Sequence, residues 1–223
     1  MMRRYLWQVL ASNKYYHLLA VLVVFFFIVP FGTGGPMQHF VFPLMFLSGI
    51  LFSLRALEVK RAEFLFIALT GVSALAIGIL FEFLHAPATG CRILLEIPIV
   101  IYAFFLLMSI ALLISKMFAV SKVTSDTIAG GISVYLLLGF LWTVFYYAVY
   151  IYDPCAFNFS SPAHQYSLFY FSFSTLTTVG YGDISPANRM AMSLSNLEAI
   201  TGQMYVAIFI SRLVGLHIAA HNK

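Results

Sequence analysis

Apolar residues along the chain gather into long runs set off by charges or Gly/Pro clusters, at His17 to Phe31, Phe40 to Leu54, Phe64 to Leu84, Ile93 to Ser115, Ile128 to Tyr152 and Ala187 to Ser211. Several approach the ~20 residues that carry a helix across the hydrocarbon, so the pattern predicts six spanning helices. A seventh apolar piece, His164 to Leu176, is too short and too rich in serine to span and has the length of a re-entrant segment. Immediately after it stands Ser174 to Pro186, "STLTTVGYGDISP", a glycine-punctuated stretch that is a poor helix former.

Composition sharpens the class. The 223 residues are 62% hydrophobic and 9% charged, with mean hydropathy +0.95, far from the roughly 25% charged residues of soluble domains. The basic residues set the orientation. With the N-terminus cytoplasmic, Arg3, Arg4, Lys14, Arg55, Lys60, Arg61, Lys116, Lys122, Arg212 and Lys223 lie inside. Only Arg92 and Arg189 of the 12 Lys and Arg lie outside. The net charge of +4 is then explained by topology and an anionic leaflet, without nucleic acid. The basic, apolar start resembles a signal peptide but is followed by no A-x-A site, so the first run is kept as a span. Tyr5, Leu6, Val9 and Leu10 share a helical face that suits an interfacial segment.

An irregular backbone at membrane depth is tolerated only where protein buries it or where it lines a polar path. Glycines at 180 and 182 permit conformations that a Cβ resists, so successive carbonyls can be aimed one way. A row of carbonyls from Thr178 to Tyr181, with the Thr178 hydroxyl at its inner end, is able to replace the water shell of a dehydrated cation, with no charged side chain taking part.

Thr177-Thr178-Val179-Gly180-Tyr181-Gly182-Asp183 resembles the selectivity filter of potassium channels. The resemblance extends over about Ile128 to Gly215, as outer helix, pore helix, filter and inner helix. It implies a member of the tetrameric P-loop, voltage-gated-like superfamily, of the bacterial six-span type, with K+ held by Thr178, Val179, Gly180 and Tyr181. It also implies that Thr177, Gly182 and Asp183 shape the filter's ends. Tyr170 and Phe171 occupy positions where family members brace the filter with aromatics, here in place of paired tryptophans. Ser174 stands where some members carry an acidic residue or valine. Four such loops are needed to ring an ion and the chain holds one, so the expected assembly is a homotetramer.

In the last run, Gly202 lies where family members often carry a hinge glycine, and a small residue for close helix packing is the other reading. Gln203, Val206 and Ile210 are expected on the cavity-facing stripe, with Ile210 or Val214 at the cytoplasmic constriction. Glu198, four residues before Gly202, is expected behind the pore helix, where Ser172, Ser174 or Thr175 can donate to it. A ring of four carboxylates in the cavity is the alternative. The fourth run lacks the Arg or Lys repeated every third residue, so steep voltage dependence is not expected. Arg92 and Glu96, four apart, form a simple ion pair in this reading. Cys91 and Cys155 both fall outside, where they pair or remain two thiols. His217 and His221 read as solvated side chains.

The expected molecule is an all-α membrane protein of six transmembrane helices with a re-entrant pore helix and filter loop. Its regions are a cytoplasmic or interfacial segment at 1–16, a four-helix sensor-like half at 17–122, a pore half at 123–216 and a cytoplasmic tail at 217–223. The expected function is passive, potassium-selective conduction in the plasma (inner) membrane with both termini cytoplasmic, with K+, lipid and copies of itself as partners and no cofactor. The sequence carries no nucleophile–base constellation, metal cluster or nucleotide fingerprint, and it is read as no enzyme. No fused cytoplasmic ligand sensor is expected after Lys223. The alternatives are a non-conducting sensor or assembly subunit that keeps the pore fold, and a channel that senses voltage through unusual residues.

Overall fold

The structure, a computed structural model, describes residues 14–29, 42–56, 59–83, 92–119, 123–160 and 166–221. Among the described residues each apolar run forms a helix: α1 is Lys14–Ile28, α2 Phe42–Ala56, α3 Arg61–Phe83, α4 Arg92–Phe118, α5 Ser125–Tyr152 and α7 Arg189–His221, with the short α6 at Ser167–Leu176. Among the described residues, α3, α4, α5 and α7 are long and apolar enough to cross a membrane. The described parts of α1 and α2 have 15 residues each. The expected tail is helical where it is described, because α7 runs on to His221.

The central element is α5. Thr124 caps it, its hydroxyl accepting from the Thr127 amide at 3.2 Å, and 61% of its apolar window is buried within the chain. Around it pack α1, α4, α6 and α7. Helix α1 lies against α5 and α6 through rings: Phe25 meets Phe140 at 5.2 Å, and Phe26 meets Phe169 at 5.2 Å and Phe173 at 4.9 Å. Asp126, in the first turn of α5, accepts from the Tyr15 amide at 3.0 Å and so satisfies an amide at the N-terminus of α1. Helices α1 and α5 therefore begin at the same end of the molecule. Only six residues separate α4 from α5, which brings the end of α4 close to the last helix.

A two-stranded antiparallel ribbon joins β1, Phe157–Phe159, to β2, Ile184–Pro186, pairing Phe157 with Pro186 and Phe159 with Ile184. It is extended by the Ala187 amide donating to the Ala156 carbonyl at 2.7 Å and the Ser160 amide donating to the Asp183 carbonyl at 2.9 Å. Asp153 closes the same end: its carboxylate accepts from the Cys155 amide at 3.0 Å and from the Asn188 side chain at 2.8 Å, while Asn188 caps α7 by accepting from the Ala191 amide at 2.8 Å. The end of α5, the ribbon and the start of α7 are thereby fixed to one another.

Candidate functional site

Helix α6 presents Leu168, Phe169, Phe171 and Leu176 to the interior and ends where Thr177 begins the non-helical stretch. Its last carbonyls lack helical partners and are satisfied by the chain that follows. The Thr177 amide donates to the Phe173 carbonyl at 3.1 Å, the Thr178 amide to the Thr175 carbonyl at 2.9 Å, and the Val179 and Gly180 amides both donate to the Ser174 carbonyl, at 2.9 and 3.3 Å. The Tyr181 amide donates to the Ser174 hydroxyl at 3.4 Å. Ser174 thus gathers three consecutive amides.

That convergence fixes the carbonyls. A trans peptide holds its C=O opposite its N–H, and no cis peptide is present among the described residues. The carbonyls of Thr178, Val179 and Gly180, each opposite an amide aimed at Ser174, therefore point together away from α6. Among the described residues they accept no backbone hydrogen bond. The backbone reaches this arrangement with positive φ at alternate positions, 60° at Thr178, 58° at Gly180 and 82° at Gly182. At Gly180 an added Cβ meets nothing within 4 Å, so within the chain its glycine is required by conformation and not by space.

The outer end of the loop is held by rings. Tyr170 stacks on Tyr181 with centroids 5.8 Å apart and planes inclined by 12°. Asp183 accepts from the Ile184 amide at 3.1 Å. The loop is exposed from Thr177 to Asp183, with a file of outward carbonyls and a rigid backing.

Residues 131–217 match a family model described as "Ion channel". The match begins inside α5 and ends in α7, so it takes in the whole pore loop and supports an ion channel. No curated protein and no solved structure matches the chain.

Within this ion-channel region the remaining expected residues fall as follows. Phe171 turns from the loop toward Tyr146, at 4.9 Å, and Phe157, at 5.5 Å, bracing α6 against α5 and the ribbon. The Thr177 hydroxyl donates to the Phe173 carbonyl at 2.6 Å. Glu198 is fully buried behind α6, where its Oε1 lies 2.6 Å from the Ser172 hydroxyl and its Oε2 accepts from Tyr146 at 2.5 Å. Gly202 is buried with its α-carbon against the end of α6, where a Cβ would stand 2.2 Å from the Leu176 carbonyl oxygen. Close packing thus accounts for this glycine. Gln203 donates from Nε2 to the Thr178 hydroxyl at 3.1 Å. With Val206, Ile210 and Val214 it forms an exposed stripe at helical spacing along α7.

Several contacts in the region had no evident signal in the sequence. Tyr135 donates to the Leu176 carbonyl at 3.2 Å, and Tyr205 donates to the Gly131 carbonyl at 2.8 Å. At the other end of α7, Arg212 donates to the Phe118 carbonyl and sets its guanidinium 4.5 Å above the Phe118 ring. Cys155 is exposed in the 3-10 turn Pro154–Ala156, whereas Cys91 lies outside the described residues, as do residues 1–13 with the expected interfacial face. The side chains of Arg92, Glu96 and His221 lie outside them too. Among the described residues, no group of three or more His, Cys, Asp or Glu side chains gathers as a metal site.

Proposed function

We propose that the protein is a potassium-selective channel in which four copies surround one conduction path. Thr178, Val179, Gly180 and Tyr181 line that path as ion ligands. The observation that carries this reading is the convergence of the Val179, Gly180 and Tyr181 amides on Ser174, which leaves a file of carbonyls that accept no backbone hydrogen bond among the described residues. A single file coordinates an ion from one side only. Four files around an axis replace a hydration shell, and a closed fourfold ring supplies them. Helix α7 agrees with such an assembly, since only 6% of its apolar window is buried in one chain and its open faces suit contact with other copies and with the central cavity.

Conduction is passive, in a plasma (inner) membrane crossed six times by each chain with both termini cytoplasmic. The K+ ions in the filter are cargo, and the partners are lipid and further copies of the chain. Between Arg92 and Lys116, α4 carries only Glu96 as a charged residue, so gating does not depend steeply on voltage. Liposomes loaded with potassium and containing the purified protein test the reading. Potassium efflux that sodium cannot replace is expected. Absence of efflux under any condition favours a non-conducting subunit built on the same pore fold.

A further inference from the structure

Glu198 sits in a set of oxygen contacts that do not balance unless it brings a proton of its own. Three short oxygen–oxygen contacts form the set: Tyr146 Oη to Glu198 Oε2 at 2.5 Å, Ser172 Oγ to Glu198 Oε1 at 2.6 Å, and Ser172 Oγ to the Gly139 carbonyl at 2.8 Å. Each needs one hydrogen between its oxygens. The Tyr146 and Ser172 hydroxyls supply one apiece, and a carbonyl supplies none. With an ionised carboxylate, one pair of oxygens would face each other with lone pairs only. A proton on Glu198 Oε1 completes the set: Glu198 donates to Ser172 Oγ, Ser172 donates to Gly139, and Tyr146 donates to Oε2. Burial agrees, for Glu198 is 0% exposed and the surrounding elements present rings and aliphatic groups at membrane depth, where a bare charge is costly.

We propose that Glu198 is a neutral carboxylic acid whose proton closes a chain from Tyr146 of α5 through Glu198 of α7 and Ser172 of α6 back to the Gly139 carbonyl of α5. The proposal deepens the reading of the pore loop as a conduction path and assigns Glu198 as a positioning residue. Ser172 is two residues before Ser174, the acceptor for the Val179, Gly180 and Tyr181 amides. Fixing Ser172 to two neighbouring helices therefore fixes the point from which the carbonyl file is aimed. Glu198 touches no ion; it acts through α6.

Two measurements on the purified full-length protein test this. Infrared spectra of wild type and Glu198→Gln are compared first. The expected difference is loss of the carbonyl-stretch band of a protonated carboxylic acid, and in Tyr146→Phe that band shifts because one of its hydrogen bonds is gone. Spectra in which wild type and Glu198→Gln differ only in carboxylate bands would overturn the proposal. This arm does not depend on conduction, so it stands even if the channel reading fails. The second measurement uses the neutral isostere, whose amide N–H donates to Ser172 while its C=O accepts from Tyr146. Glu198→Gln should keep the oligomer and any potassium-over-sodium preference within about twofold of wild type, whereas Glu198→Ala, which leaves both hydroxyls without their partner, should weaken both. Collapse of the oligomer or loss of ion preference in Glu198→Gln would show that a negative charge is required, and would overturn the proposal.

Discussion

The α-carbon of Gly202 lies against the carbonyl oxygen of Leu176, so close that a Cβ at position 202 would stand 2.2 Å from it. The last turn of α6 and the middle of α7 are therefore in backbone contact, and the side chain at 202 is the spacer between them. Leu176 cannot retreat freely, because Tyr135 holds the same oxygen at 3.2 Å.

Gly202→Ala should accordingly push α6 and α7 apart and lower the stability of the assembled protein by about 1–3 kcal/mol, the usual cost of overpacking. Thermal unfolding of the oligomer in detergent measures this. An alanine variant with unchanged stability and altered gating kinetics alone would favour the hinge reading.

Arg212 joins the C-terminal part of α7 to the last residue of α4 by a hydrogen bond to the Phe118 carbonyl and a cation–π contact with its ring. A helix C-terminus favours a cation, and the six residues between α4 and α5 leave this contact as a direct tie between the two halves. If the inner helix moves on opening, the tie biases the gate. Arg212→Ala should shift the open–closed equilibrium by about tenfold, corresponding to about 1–2 kcal/mol, and Arg212→Lys should recover only part of it because it lacks the planar guanidinium. Single-channel open probability reads both variants, and equal values in all three proteins would remove Arg212 from gating.

Open probability should change only shallowly with membrane potential. A gating charge contributes about 2.3 kcal/mol per 100 mV, and between its ends α4 bears no basic residue. Planar-bilayer recordings across a range of potentials measure the slope. Activation equivalent to several charges per assembly would mean that voltage is sensed elsewhere in the chain.

The pore loop was the most legible part of the sequence, because its glycines at 180 and 182 announce a backbone that side chains resist, and both have positive φ. Glu198 was legible in direction: helical spacing turned it toward the re-entrant helix, and Ser172 was among the donors expected there. Tyr146 was not, since a tyrosine 52 positions earlier in an apolar run carries no local sign of its partner. The ribbon of Phe157–Phe159 and Ile184–Pro186 escaped for a similar reason: three-residue strands are too short to establish an alternating period. The pore half was read as ending at residue 216 with a separate tail at 217–223, yet the last helix continues to His221. Within the described residues the six apolar runs became helices.

The most direct measurement is the reversal potential between potassium on one side and sodium on the other, for the wild-type protein and for Gly180→Ala. At Gly180 φ is 58°, a conformation that costs a residue with a Cβ about 1–2 kcal/mol. Alanine there should turn the Thr178, Val179 and Gly180 carbonyls out of line. The wild type should reverse near the potassium equilibrium potential, and the variant should carry no current or admit sodium. Equal permeability to the two ions in the wild type, or an unchanged preference for potassium in Gly180→Ala, would contradict the assignment of this loop as the selectivity filter.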